Sequence, residues 1–267
     1  MKTVYIEKMS WAEFQEMMKE EDTLIIPLGV MEEHGPHNPL ACDTWIGEYC
    51  AGLLAERTRT PVAPILPYGF AHNVQKFPGS TSVEPELYRE VLYAYCASFI
   101  RWGVKRILFI NGHGGNTPVL DWVCQDLYRD FGTLCFYNDW WTIIPQIAPE
   151  YDCQDHGGYY ETSMLMAARP DLPRMELAKE AGECRISPGI HKFYVWTFEN
   201  ASIGINCDVT KFNPYGNVGN APFGASKELG DKLTELYVNY NVDLLAEIKK
   251  IPIPFPAASP MVPEEKA

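Results

Sequence analysis

The stretch TLIIPLGVMEEHGPHNPLACD, residues 23–43, decides how the rest of the chain is read. Thr23 to Val30 is a short apolar run closed by Gly29, the signature of a buried strand. Glu32, Glu33, His34, His37 and Asp43 follow in a Gly- and Pro-containing loop. Asp43 to about Thr58 then has helical spacing, with Ile46, Cys50, Leu53 and Leu54 on one face. This is a strand that delivers charged and imidazole groups to its carboxyl end and then a helix.

The same alternation extends outward. Ser10 and Glu13 form a capping-box pattern that opens a short helix to about Glu20. A second apolar run, Val62 to Leu66, leads into Pro67-Tyr-Gly69. An amphipathic helix from Glu84 to Gly103 precedes a strand over Arg106 to Ile110. The turn Asn111-Gly-His-Gly-Gly-Asn116 opens a helix to about Phe131, and Thr133 to Tyr137 is a further strand. Strands separated by helices imply an α/β fold, a mostly parallel sheet flanked by helices on both faces. Past residue 150 we expect a helix from Tyr159 or Tyr160, loops and short strands over Gly204 to Gly219, and a closing helix from Ala221 to about Lys250. Residues 1–250 are expected to form one domain, with 251–267 an irregular Pro-rich tail.

Composition narrows the functional classes. A formal charge of -13 disfavours nucleic acid and anionic membranes as partners, since both need clustered Lys and Arg. The N-terminus lacks a basic segment followed by an apolar run, and no stretch is long and apolar enough to span a bilayer. Eight scattered cysteines without a Cys-x-x-Cys pair suit a reduced, cytoplasmic protein.

The histidines carry the chemical signal. His34, His37, His113 and His156 all lie in glycine-rich turns beside predicted strands or helices, and ligands of open α/β sheets collect at strand carboxyl ends. Glu32 and His34, two residues apart in an extended segment, project to the same side. Carboxylates with imidazoles and no thiolate suit Zn, Mn, Fe or Co, and a bidentate Asp such as Asp43 suits a bridge between two metals. Each residue has a plainer reading. Asp43 is equally well an N-cap, Glu32 and Glu33 are ordinarily solvated, and a single loop His ordinarily bonds backbone. The Asn111–Asn116 turn also suits a phosphate, and Glu161 suits the first turn of a helix. The joint occurrence at successive strand ends favours a metal site.

These segments resemble the creatininase (creatinine amidohydrolase) family. Its first motif, Gly-Ser-x-Glu-x-His-Gly-Pro-His-Leu-Pro and a following Asp, stands here as Gly29 to Pro39 and Asp43. The second, Asn-Gly-His-Gly-Gly-Asn, is residues 111–116, and the third, His-Ala-Gly-x-x-Glu-Thr-Ser, is His156 to Ser163. A weaker fourth, Phe-Pro-Gly-Thr, is Phe77 to Ser80. The resemblance implies a creatininase-like three-layer sandwich, usually a homohexamer, holding two divalent metal ions (Zn, Mn or Fe). It implies that Glu32, His34, Asp43 and His113 are metal ligands, with Asp43 bridging. Gly115 stands where creatinine-cleaving members carry a ligand Glu; relatives with Gly-Gly at that point use the Glu of the third motif, so the resemblance implies Glu161 as the fifth ligand. His156 is expected to carry a proton to the leaving group, with Glu161 a second catalytic group. His37, His72, Gly114, Asp155 and Tyr159 are the expected substrate contacts.

The implied activity is attack of metal-activated hydroxide on the carbonyl of a small cyclic amide or formamide-like substrate. Gly114 in place of an aromatic, and Ala71 and Val74 in place of Ser and His, argue against creatinine itself. Two alternatives stand beside it. One is carbon–carbon hydrolysis of a cyclic polyol ketone such as 3-dehydro-scyllo-inosose, to which the aromatic, Asn-rich stretch from Phe193 to Asn217 is suited. The other is an inactive metal-binding regulatory module.

Overall fold

The computed structural model describes residues 3–192, 196–199, 201–204 and 207–254. Part of the 193–217 stretch and most of the Pro-rich tail therefore lie outside the described residues. Three strands form a parallel sheet in the order β1 (Thr23–Leu28), β2 (Arg106–Asn111), β3 (Leu134–Asp139). The run Val62 to Leu66 extends it beyond β1 through parallel bridges Ile25–Val62 and Leu28–Leu66. Every residue of β1 and β2 is buried, which explains why these segments read as unbroken apolar runs and not as alternating ones.

Alternation governs instead which helices each residue meets. Leu24, Ile26, Leu28, Ile107 and Phe109 pack with Tyr88, Leu92 and Cys96 of α3 (Pro85–Ile100) and with Val119, Leu120, Val123 and Leu127 of α4 (Thr117–Phe131). Ile25, Leu108 and Ile110 face the other way, onto α2 (Cys42–Thr58), α5 (Trp140–Ile147), α6 (Tyr159–Ala168) and α7 (Lys227–Lys250). The result is the expected three-layer α/β sandwich.

Helix α1 (Trp11–Glu20) has both halves of the Ser10/Glu13 capping box. Its early start agrees with the sequence signal. Helix α7 begins at Lys227 and not Ala221, because Ser226 accepts from the Leu229 amide and caps it there. Two features were not foreseen. Helix α5 forms although Trp, Thr and Ile disfavour helix and Pro145 lies inside it; burial of Trp140, Trp141 and Ile144 outweighs that preference. Four short strands, β4 (Arg185–Ser187), β5 (Ile190–Lys192), β6 (Trp196–Phe198) and β7 (Ala201–Ile203), form an antiparallel sheet. Among the described residues, no helix is long and apolar enough to cross a membrane, and no cysteine is in a disulfide.

Candidate metal centre

The polar groups converge where the sheet's carboxyl edge meets α2 and α6. Glu32 and His34 leave the end of β1, Asp43 sits in the first turn of α2, and His113 follows β2. Glu161 stands in the first turn of α6, and His156 lies in the short strand Asp155–His156, which pairs antiparallel with Val218–Gly219. Glu32, His34, Asp43, His113 and Glu161 are all buried.

Asp43 is the centre of the arrangement. Its Oδ1 lies 2.8 Å from His34 Nε2 and its Oδ2 lies 3.0 Å from His113 Nδ1. Glu161 Oε1 is 3.5 Å from the same His34 nitrogen, and Glu32 Oε1 is 3.3 Å from the same His113 nitrogen. Two half-shells of mixed oxygen and nitrogen donors thus share one carboxylate. Each imidazole is turned by its far nitrogen: His34 Nδ1 lies 3.1 Å from the Glu32 carbonyl and His113 Nε2 lies 2.9 Å from the Phe70 carbonyl. In the neutral rings, donation to those carbonyls would leave the inner nitrogens bare, the arrangement that metal-binding histidines use. Behind His113, Asn111 Nδ2 reaches the His113 carbonyl at 2.8 Å and Asp139 Oδ1 at 2.6 Å, and Asn111 Oδ1 accepts from the His113 amide.

The electrostatics test whether a metal suits these groups. Among the described residues, the ion pairs of Glu32, Asp43 and Glu161 are all with histidines. Carboxylates are rarely buried without a firm counter-charge, because desolvation is costly. Burial opposes protonation of His34 and His113, yet the carboxylates prevail and raise both well above 6.5; for His34 the main one is Asp43, for His113 Glu32. Burial likewise raises Asp43, but His34 and His113 hold it well below the usual carboxylate range. Among the described residues, Glu32 Oε2 is buried with no hydrogen-bond partner. An acidic pocket with an orphaned oxygen and inward-facing imidazole nitrogens fits a divalent cation.

The His156 ring lies against that of His34, with centroids 4.4 Å apart and the planes tilted by 39°. Its Nδ1 is 3.7 Å from Glu32 Oε1 and 3.9 Å from Glu161 Oε2, while its Nε2 is 3.2 Å from Glu33 Oε1. Burial and the neighbouring His34 push its pKa down, but Glu33 and Glu32 carry it up to about 9. Glu161 Oε2 also accepts from the Gly157 amide at 2.6 Å.

The remaining expected residues are more dispersed. His37 is buried, lies 3.2 Å from Thr162 Oγ1, and is pushed down to about 4 by burial and by His34. Asp155 spends both carboxylate oxygens on backbone amides of Tyr160 and Glu161, anchoring the start of α6; burial, with Glu161 adding, raises it to about 8. Gly114 is exposed, and a Cβ there would rest 3.7 Å from Trp141. Tyr159 meets the Tyr160 ring edge to face, with centroids 5.1 Å apart. His72 is not gathered into the cluster: its Nε2 meets Glu84 at 3.1 Å and its ring lies against Phe70. Glu33, the Phe70 carbonyl and the Asn111–Asp139 pair were not singled out from sequence, and all engage the site's histidines or the His113 backbone.

A sequence model of the creatininase family, described as creatinine amidohydrolase, matches residues 7–245. The mycofactocin precursor peptide peptidase of Mycolicibacterium smegmatis is 35% identical over 157 residues, 55% of this chain and 58% of that protein. The chain therefore spans somewhat under three fifths of that relative's length. The creatinine amidohydrolase of Pseudomonas putida is 27% identical over 195 residues, 64% of this chain and 74% of that one. A solved mutant creatininase of zinc–zinc type superposes with a TM-score of 0.78 at 22% identity, covering 93% of this chain and 99% of the other. At that identity the superposition speaks to the fold.

Proposed function

This chain belongs to the creatininase family of hydrolases, and from that premise we propose that it is a two-metal enzyme cleaving the carbon–nitrogen bond of an amide. The observation that carries the reading is Asp43, whose two oxygens each face a different inward-turned histidine. His34, Asp43 and Glu161 would hold one ion, and His113, Asp43 and Glu32 the other. Two divalent ions there would supply a water of near-neutral acidity and Lewis-acid polarisation of a carbonyl.

The chain's own groups supply the rest. The buried walls exclude bulk water, which strengthens every charge interaction within. Asn111 and the Phe70 carbonyl hold His113 in one orientation, and the Glu32 carbonyl does so for His34. His156 is one-fifth exposed, so it sits between the cluster and solvent. Its Nδ1 faces the reacting side, where it delivers a proton to the departing nitrogen, a task suited to imidazole. The names of two relatives, a peptidase and an amidohydrolase, fit amide cleavage, and that of a third, a 3-dehydro-scyllo-inosose hydrolase, fits the carbon–carbon alternative.

The test is turnover by zinc- or manganese-loaded protein on cyclic amides, formamides, short peptides and keto-inositols, followed by mass change. Release of an amine or ammonia, abolished by a chelator, is expected. A ring-opened acid formed from a keto-inositol, with no amide turned over, would replace this reading by carbon–carbon hydrolysis.

A further inference from the structure

We infer that Glu33 is a positioning residue for His156, fixing which of its ring nitrogens carries the proton. The inference rests on the reading of His156 as the proton carrier of the site. Glu33 is only 6% exposed although it sits in a loop beside the charged cluster. Its Oε2 accepts from the Gly35 amide at 2.9 Å, its Oε1 faces His156 Nε2 at 3.2 Å, and its own amide donates to Ser80 Oγ at 2.9 Å. The loop opposite is shaped to admit it. Gly216 has φ of +92°, and a Cβ there would overlap the Glu33 carboxylate.

A carboxylate can only accept, so His156 Nε2 must be the donor. In the neutral ring Nδ1 is then the bare nitrogen, on the side of Glu32 and Glu161. The tilted contact with the His34 ring restricts the ring plane, and Glu33 fixes the tautomer. Nδ1 is thereby the atom that takes up and returns a proton at the reacting face.

Glu33→Gln separates this role from simple loop anchoring. The Gly35 amide is an obligatory donor, so the glutamine oxygen must stay on it, turning the glutamine NH2 toward His156. Facing a donor, Nε2 must become the acceptor, and the proton moves to Nδ1. The experiment is nitrogen-15 NMR of the zinc-loaded full chain with labelled histidine, at a pH where the ring is neutral. His156 is assigned by its absence in His156→Gln. The protonated-type resonance of His156 is expected on Nε2 in the wild type and on Nδ1 in Glu33→Gln. Glu33→Ala, which removes the acceptor altogether, is expected to give a mixture of both tautomers. Retention of the Nε2–H form in Glu33→Gln, including through a bond from Nδ1 to zinc, overturns the inference. Zinc content of the same wild-type sample reports separately on the two-metal reading, which fails if no zinc is retained.

Discussion

Asp43, His34 and His113 form a charge arrangement that protons can fill only imperfectly. Without metal, both histidines hold protons above their ordinary 6.5 because carboxylates surround them. A metal must displace those protons, so affinity is predicted to rise with pH until the raised pKa values are passed. Calorimetric titration near neutral pH in buffers of different ionisation heat should show protons released on metal uptake; pH-independent affinity would contradict it. The same shifts set the stability of the metal-free chain. The histidines' contribution is full below 6.5 and is lost as pH rises from there through their folded pKa, whereas that of Asp43 is full above 3.8 and is lost as pH falls. Asn111→Ala removes the side chain that ties the His113 backbone to Asp139, and a loss of about 10–100-fold in metal affinity is expected, with unchanged affinity counting against that role. The chemistry-bearing residues at this scale were legible because Glu32, His34, His113 and His156 recur beside strand ends. Glu33 was not, since a loop glutamate is ordinarily solvated and its partner lies 123 residues away in sequence.

The elements obey two different rules. Strands β1 and β2 were legible as apolar runs, and α1 by its capping box, because those signals are local. Helix α5 was not, since only the core it enters makes its Trp- and Ile-rich sequence helical. Nor was the antiparallel sheet of β4 to β7, whose strands are three residues each and too short for periodicity to register. Helix α6 carries Glu161 and is held by close approach of α7, where a Cβ on Gly230 would overlap the Ser163 carbonyl. Gly230→Ala is therefore expected to destabilise the chain by about 1–3 kcal/mol in denaturant titration, because the two backbones must separate. An unchanged midpoint would show that the contact is not tight.

At the scale of the whole molecule, the sandwich brings the ends of β1 and β2, the start of α2 and the segment from His156 to Glu161 to one edge of its sheet. The fold class was legible because strand–helix alternation is a repeated signal; the pocket walls were not, because they come from loops without periodicity. Gly114 beside Trp141, and His72 turned to Glu84, leave an acidic centre whose proposed metal donors match the family motifs more closely than its surroundings do. Binding that favours only the folded state also adds stability, about 2.7 kcal/mol at a free metal concentration one hundred times Kd. The central claim, that one carboxylate joins two metal shells, is tested most directly by metal analysis of chain purified without chelator, beside Asp43→Ala. The wild type is predicted to carry about two divalent ions per chain, as a two-metal site requires, and Asp43→Ala fewer than about one. A wild type free of metal, or an Asp43→Ala chain that retains the full complement, would contradict it.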